Sequence, residues 1–401
     1  MKTVEIRDET VGRRRKRFIL CLLAAFFLLP TSLAAAETPV EKRVDEQLSG
    51  LNFDGISEYW QKVVDTYGGF LPESRNLSFK DLLASHPNGL FGKWLKGIGL
   101  YLLQELAVNG KLLGTLIILT IFSMLLQAIQ NAFEYQTVSK IAYSVIYLVL
   151  IIVALNTFKV AMDLTTTAIQ DMNHFLLALM PLILALMATS GSVASVAFFH
   201  PLVVFLINVS GWLVSSFVLP LIFMSTLLHI VSSLTEHYKV TQLANLLRNV
   251  ALGTLAVYFA VFLGVMSVQG MATSVSDGVL VKTAKFITGN FVPVVGRMFT
   301  DAADTVIGAS ALVKNTIGIA GLLILVFLVA FPAVKVFALT VIYNLATALL
   351  QPLGGGPVIQ CLSIMAKNML YIFAALVIVS TMFFLAVTII IASGNMSLMM
   401  H

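Results

Sequence analysis

The decapeptide QPLGGGPVIQ at residues 351–360 holds three consecutive glycines between two prolines. Glycine-rich runs can cradle phosphates, hinge two helices or line a pore. A phosphate loop needs Gly-x-x-x-x-Gly-Lys-Ser/Thr, so that backbone amides and a lysine meet the phosphate oxygens. Here Pro-Val-Ile-Gln follows the glycines, and the next lysine is Lys367. A nucleotide site is rejected, and any energy input would have to come from another protein. Hydrolytic chemistry fares no better. Glu236-His237 lacks the second histidine that would put two imidazoles on one helix face, and there is no Gly-x-Ser-x-Gly elbow. His200 lies in FFHP and His229 in an apolar run, both without acidic neighbours at useful spacing. Both read as structural, so no catalytic residue, cofactor or metal is expected.

What remains are polar residues inside apolar runs: Asn156, Asn208, Asn344, Gln351, Lys314 and Lys335. Amides and amines are expensive in lipid and should face other helices or water. Two readings stay open for them, a pathway lining and plain helix–helix hydrogen bonding or snorkelling. No acidic residue is embedded deeply in a clear span, which argues against a proton-coupled transporter. The segment Pro352, Gly354, Gly355, Gly356 and Pro357 should break the chain between two long spans, because proline cannot continue helical bonding. It reads as a tight loop, or as a hinge or re-entrant turn at the edge of a pathway.

The elements that would position these residues follow from composition. Of 401 residues, 58% are hydrophobic and only 11% charged, and mean hydropathy is +0.93. A soluble domain carries about a quarter charged residues, so the class is an all-α, polytopic transmembrane protein. The net charge of +5 tempts towards nucleic acid, but residues 1–36 carry seven basic against three acidic residues. That excess belongs to a signal peptide: GRRRKR, an apolar core, then small residues, with cleavage expected between Ala36 and Glu37. Cys21 would leave with it, and Cys361 then has no partner for a disulfide.

Residues 37–110 form the one sizeable polar region, expected outside the membrane as a small amphipathic-helical region. DGISEYWQKVVDTYGG puts Ile56, Tyr59, Trp60, Val63, Val64 and Tyr67 on one face, with Asp54 as cap and Gly68-Gly69 as stop. A capping-box variant at Ser78 opens a second short helix, and 91–109 is expected at the membrane interface. From 111 to 401 the chain reads as a multi-pass domain of about seven spans, give or take one. Apolar runs lie near 112–129, 141–158, 175–199, 202–234, 250–268, 317–331, 336–350 and 369–392. The run 202–234 contains Pro220 and reads either as one kinked helix or as two half-length pieces. Between spans, residues 159–174 place Lys159, Asp163, Thr166, Gln170 and His174 at helical spacing. This is expected to be an interfacial or partner-facing helix, not a span. Residues 269–305 read as a moderately polar connection. Pro181/Pro293 and Pro220/Pro332 each differ by 112 positions, which suggests an internal repeat.

NGKLLGTLIILTIF at Asn109, YKVTQLANLLRN at Tyr238, TAKFITGNFVPVVGRMFTDA at Thr283 and LQPLGGGPV at Leu350 resemble the stage III sporulation protein AE family of endospore-forming bacteria. The likeness extends to EYWQKVVDTYGGFLPES and covers nearly the whole chain after the signal. It implies a mother-cell membrane protein in an assembly linking mother cell and engulfed forespore, needed for forespore development and late forespore sigma-factor activity. It also implies partner subunits: an ATPase, ring-forming extracytoplasmic proteins and a forespore-side protein. Within that frame the chain reads as a non-enzymatic channel or platform subunit, with room for a homo-oligomer. The competing reading is a permease-like small-solute transporter subunit working with the ATPase.

Overall fold

A computed structural model describes residues 51, 53–71, 79, 90–132, 137–234, 239–291, 295–353 and 356–399. The expected signal cleavage at Ala36 and Glu37, and Gly354 and Gly355, lie outside the described residues, as does the second short helix apart from Phe79. Every described element is helical. In order they are α1 (Asp54–Tyr67), α2 (Leu90–Val108), α3 (Gly110–Ala132), α4 (Thr137–Thr189) and α5 (Val193–Leu213). A π segment (Val214–Val218) leads into α6 (Leu219–Leu234). Then come α7 (Thr241–Phe291), α8 (Val295–Leu350), a 3-10 turn (Gln351–Leu353) and α9 (Pro357–Met399).

Among the described residues, six helical stretches are long and apolar enough to cross a membrane: Gly92–Ile129, Ser144–Thr189, Val193–Ser233, Thr241–Leu280, Val306–Leu350 and Pro357–Ser393. The count falls at the lower edge of the expected range because apolar runs merge. Runs 141–158 and 175–199, and the supposed interfacial helix 159–174 between them, lie largely on α4, one helix of 53 residues. The helix does not break at 159–174 because its polar residues occupy one face only. Ala161, Thr165, Ala168, Ile169 and Met172 on the other face are buried. The run 175–199 is interrupted where its sequence reads TSGS, at Thr189–Ser192, and not at Pro181, which lies inside α4. There Ser192 donates to Met187 O and Gly191 to Ala188 O, with Gly191 at φ 84°. This is a Schellman stop, with glycine at the left-handed position that other residues resist.

Runs 317–331 and 336–350 merge in the same way, on the 56-residue α8, which passes through Pro332. Proline removes one N–H, and neighbouring helices hold the rod together across it. The 202–234 run is one rod whose π turn ends two residues before Pro220. A wider turn there makes room for the ring that would otherwise meet the carbonyl four residues back. The 269–305 connection is helical to Phe291 and resumes at Val295.

Successive rods from α4 onward alternate in direction, as their pairings show. Along α4 against α5–α6, Asn173 meets Gly211 and Phe158 meets Phe223. Against α7, Ser210 meets Tyr258 and Ser225 meets Ala244. Along α8 against α9, Lys314 meets Asn395 and Phe337 meets Phe373. At about 1.5 Å per residue, α4, α7 and α8 are each about 75–85 Å long, against about 30 Å of hydrocarbon. The rods therefore extend far beyond any bilayer they cross. The described residues lie in one compact unit spanning Arg43–His401.

Candidate functional site

α1 begins as its sequence predicts, with one difference. Asp54 is the first helical residue and Phe53 takes the cap position, so Asp54 contributes through the helix dipole. Ile56, Trp60, Val63 and Val64 are buried as the spacing requires. What they bury against is the chain itself. Trp60 and Trp94 both pack on Phe327, at 6.3 and 5.1 Å between ring centres. Tyr67 stacks on Phe331 at 4.0 Å, and Tyr101 meets the same ring edge-on at 5.1 Å. α1, α2 and α8 thus share one aromatic seam. Its rim is polar: Glu105 accepts from Asn109 Nδ2 at 3.0 Å and lies 3.8 Å from Lys335 Nζ. Gly97 is required here, since a Cβ would fall 2.1 Å from Phe70 O.

The other edge of α1 meets α4. Lys62 Nζ reaches Asp171 Oδ1 at 2.7 Å, and Tyr59 packs edge-on against Phe175 at 5.5 Å. Glu58, Gln61, Asp65 and Thr66 join them around an open cavity of about 440 Å³. Burial, and then the Asp171 carboxylate, push the hydroxyls of Tyr59 and Tyr67 above the usual phenol value. The residues expected to face a partner on 159–174 continue this polar surface. Lys159, Asp163, Gln170 and His174 are exposed, and Thr166 is half-buried. Asp171 supplies the ion pair between the two elements.

The pathway candidates do not converge. Asn156, Asn208, Asn344 and Gln351 are all exposed, on α4, α5, α8 and the 3-10 turn. Asn208 and Asn344 return their amide N–H to the carbonyl four residues back, Val204 O and Thr340 O. That lets an amide live on a lipid-facing helix without a partner helix. On either side of the glycines, Pro352 is exposed and Pro357 opens α9, where its missing N–H costs nothing. Tyr147 donates to Pro357 O at 3.4 Å, and a Cβ on Gly356 would lie 3.2 Å from Gln127 Oε1.

Two buried charges were missed or underweighted in sequence. Asp277 on α7 is fully buried and accepts from the backbone N–H of Ala194, at 2.8 Å, and of Ser195, and from the Ser195 hydroxyl. It caps the first turn of α5, just after the Schellman stop, where the helix dipole favours a carboxylate. The statement that no acid is deeply embedded is therefore corrected. Lys314, which sequence did single out, is buried on α8 and donates to Asn395 Oδ1 at 2.8 Å and Ile391 O at 3.2 Å. His229 is structural: Nδ1 lies 2.8 Å from Ser225 O and Nε2 3.1 Å from Asn245 Oδ1. His200 is exposed. Among the described residues no group of three His, Cys, Asp or Glu could hold a metal ion.

The family model for stage III sporulation protein AE matches residues 77–394, which includes α2 to α9 except the end of α9. The chain belongs to the stage III sporulation protein AE family. The curated stage III sporulation protein AE of Bacillus subtilis (strain 168) is 57% identical over 365 residues, 91% of each chain. No solved structure matches. The chain is thus a sporulation protein with several candidate membrane-spanning helices. Residues 54–67, which form α1, precede the part matched by the family model.

Proposed function

We propose that the chain is a non-enzymatic, multi-pass membrane subunit of the channel or secretion-like assembly that joins mother cell and forespore. It sits in the mother-cell membrane around the forespore and supports forespore development and late forespore sigma-factor activity. Its partners are the ATPase, the ring-forming extracytoplasmic proteins and a forespore-side protein. The observation carrying this reading is the docked α1. Its apolar face packs on α4 and α8, and its polar edge lines the open cavity beside α4, with Asp163 and Gln170 exposed on that helix. Such a surface suits partner docking. The test is a photo-crosslinking residue placed at Gln61, Asp163 or Gln170 in sporulating cells. Crosslinks to extracytoplasmic partner proteins are expected. Their absence at all three positions, with normal sporulation, overturns the platform.

A second reading is a permease-like small-solute transporter subunit. It gains from buried Asp277 and Lys314, since ionisable groups inside apolar helices commonly mark a translocation path. Reconstituted flux separates the two. Leakage that is independent of solute size and needs the partner proteins supports the channel, and saturable uptake by this chain alone supports the transporter.

A further inference from the structure

Among the described residues, one long face of α7 has no partner. Val261, Val268 and Val275 recur on it at seven-residue steps and are 53, 63 and 60% exposed. Val257, Gly264 and Met271 form the adjoining row at the same step, and all three are exposed. The exposed face of α3 is bulkier. On α3 that face is Ile118, Ile121, Phe122, Leu125 and Ile129. Lipid tails accept bulky side chains and give no reason to prefer glycine, whereas helix–helix contacts in membranes favour small residues that let backbones approach.

Length gives a second, independent argument. Exposed apolar residues on α7 run from Leu243 to Phe286. That is about 65 Å at 1.5 Å per residue, against about 30 Å of hydrocarbon. Lipid can cover no more than about half of the strip, and an apolar strip left in water calls for a protein cover.

We propose that this face, between Gly253 and Leu280, is a homotypic interface on which α7 of a second copy lies parallel. All copies insert in the same sense, so α7 can meet its counterpart only in parallel and in register. A seven-residue repeat held over this length is what a parallel pair of like helices uses. Charge is compatible too. Between Arg248 and Lys282 the one charged residue is Asp277, which is buried against α5. Exposed Lys282 is the next step of the valine row, so like charges meet there and end the seam.

The test uses the full chain in native membranes, with single cysteines introduced by Val257→Cys, Val261→Cys, Gly264→Cys and Val268→Cys. Ile118→Cys and Phe122→Cys serve as controls. Cys361 is buried and does not interfere. Oxidation is expected to give a band of twice the chain's mass at the α7 positions and none at the controls. Gly264→Leu is the second variant. No atom lies within 4 Å of where its Cβ would sit, so the folded chain accommodates it. It is expected to cut crosslinking of Val261→Cys roughly tenfold, about 1.4 kcal/mol of association, without changing the melting temperature. Three outcomes overturn the proposal: equal crosslinking on α3 and α7, α7 adducts with a protein of another mass, or crosslinking indifferent to Gly264→Leu.

Discussion

α8 and α7 are nearly the same length, 56 and 51 residues, and both are apolar enough to span a membrane, yet they meet opposite surroundings. The most apolar window of α8 is 56% buried, that of α7 22%. Their glycines tell the same story. A Cβ on Gly318 or Gly321 of α8 would fall 2.3 Å from Ile391 or 2.7 Å from Leu179. On Gly253 or Gly264 of α7 it would meet nothing. α8 is the helix around which the chain folds, with α1, α2, α4 and α9 packed on it. α7 turns one side to α5, α6, α8 and α9, and its other side is exposed among the described residues. Two helices that are both apolar enough to span a membrane thus have different surroundings, and their small residues separate them only once contacts are known.

Substitutions can break or sharpen that contrast. The largest effect is expected at the α1–α8 seam: Trp60→Ala should cost about 3–5 kcal/mol of docking, read as faster hydrogen exchange across 54–67. Next, Gly318→Leu should destabilise the solubilised protein by about 1–3 kcal/mol through overpacking, while Gly253→Leu should stay within about 0.5 kcal/mol, both read from thermal midpoints. Asp277→Ala strands two buried N–H groups and should cost about 1–3 kcal/mol, with exchange rising first at 193–196. Lys62→Ala should cost no more than about 0.2–1 kcal/mol and lose even that in high salt, because the pair is 52% and 23% exposed. Alkaline pH adds a sign test. The Tyr67 value is raised, so its stabilising share is full below about pH 10 and is lost as pH climbs through the folded value. Tyr67→Phe should remove that part of the alkaline loss of α1 protection.

Much of this architecture is legible in sequence because it rests on local periodicity. The apolar face of α1, the stretch 91–109 that became α2, and the apolar centre of every rod follow from spacing alone. Boundaries were harder. A polar face at 159–174 looks like an exit from the membrane, yet a helix continues wherever its opposite face stays buried. Pro332 looks like a break, yet packing on both sides carries the rod across it. The candidate site was legible in part: the polar face of α4 was visible, but its link to α1 through Lys62 and Asp171 joins residues 109 apart. Asp277 was missed for the same reason, since the helix end it caps begins more than eighty residues earlier. Asn208 and Asn344 were singled out for polarity in apolar runs, a signal that does not register an amide bonding to its own helix.

The central proposal is that α1 and the middle of α4 form a platform outside the membrane, with Lys239 ahead of α7 on the opposite side. Single cysteines at Gln61, Gln170 and Lys239, probed in intact cells with a membrane-impermeant maleimide, test it most directly. The account predicts labelling at 61 and 170 without permeabilisation, and at 239 only after it. Labelling of 239 from the same side as 61, or protection of 61 and 170 from the outside, would contradict it.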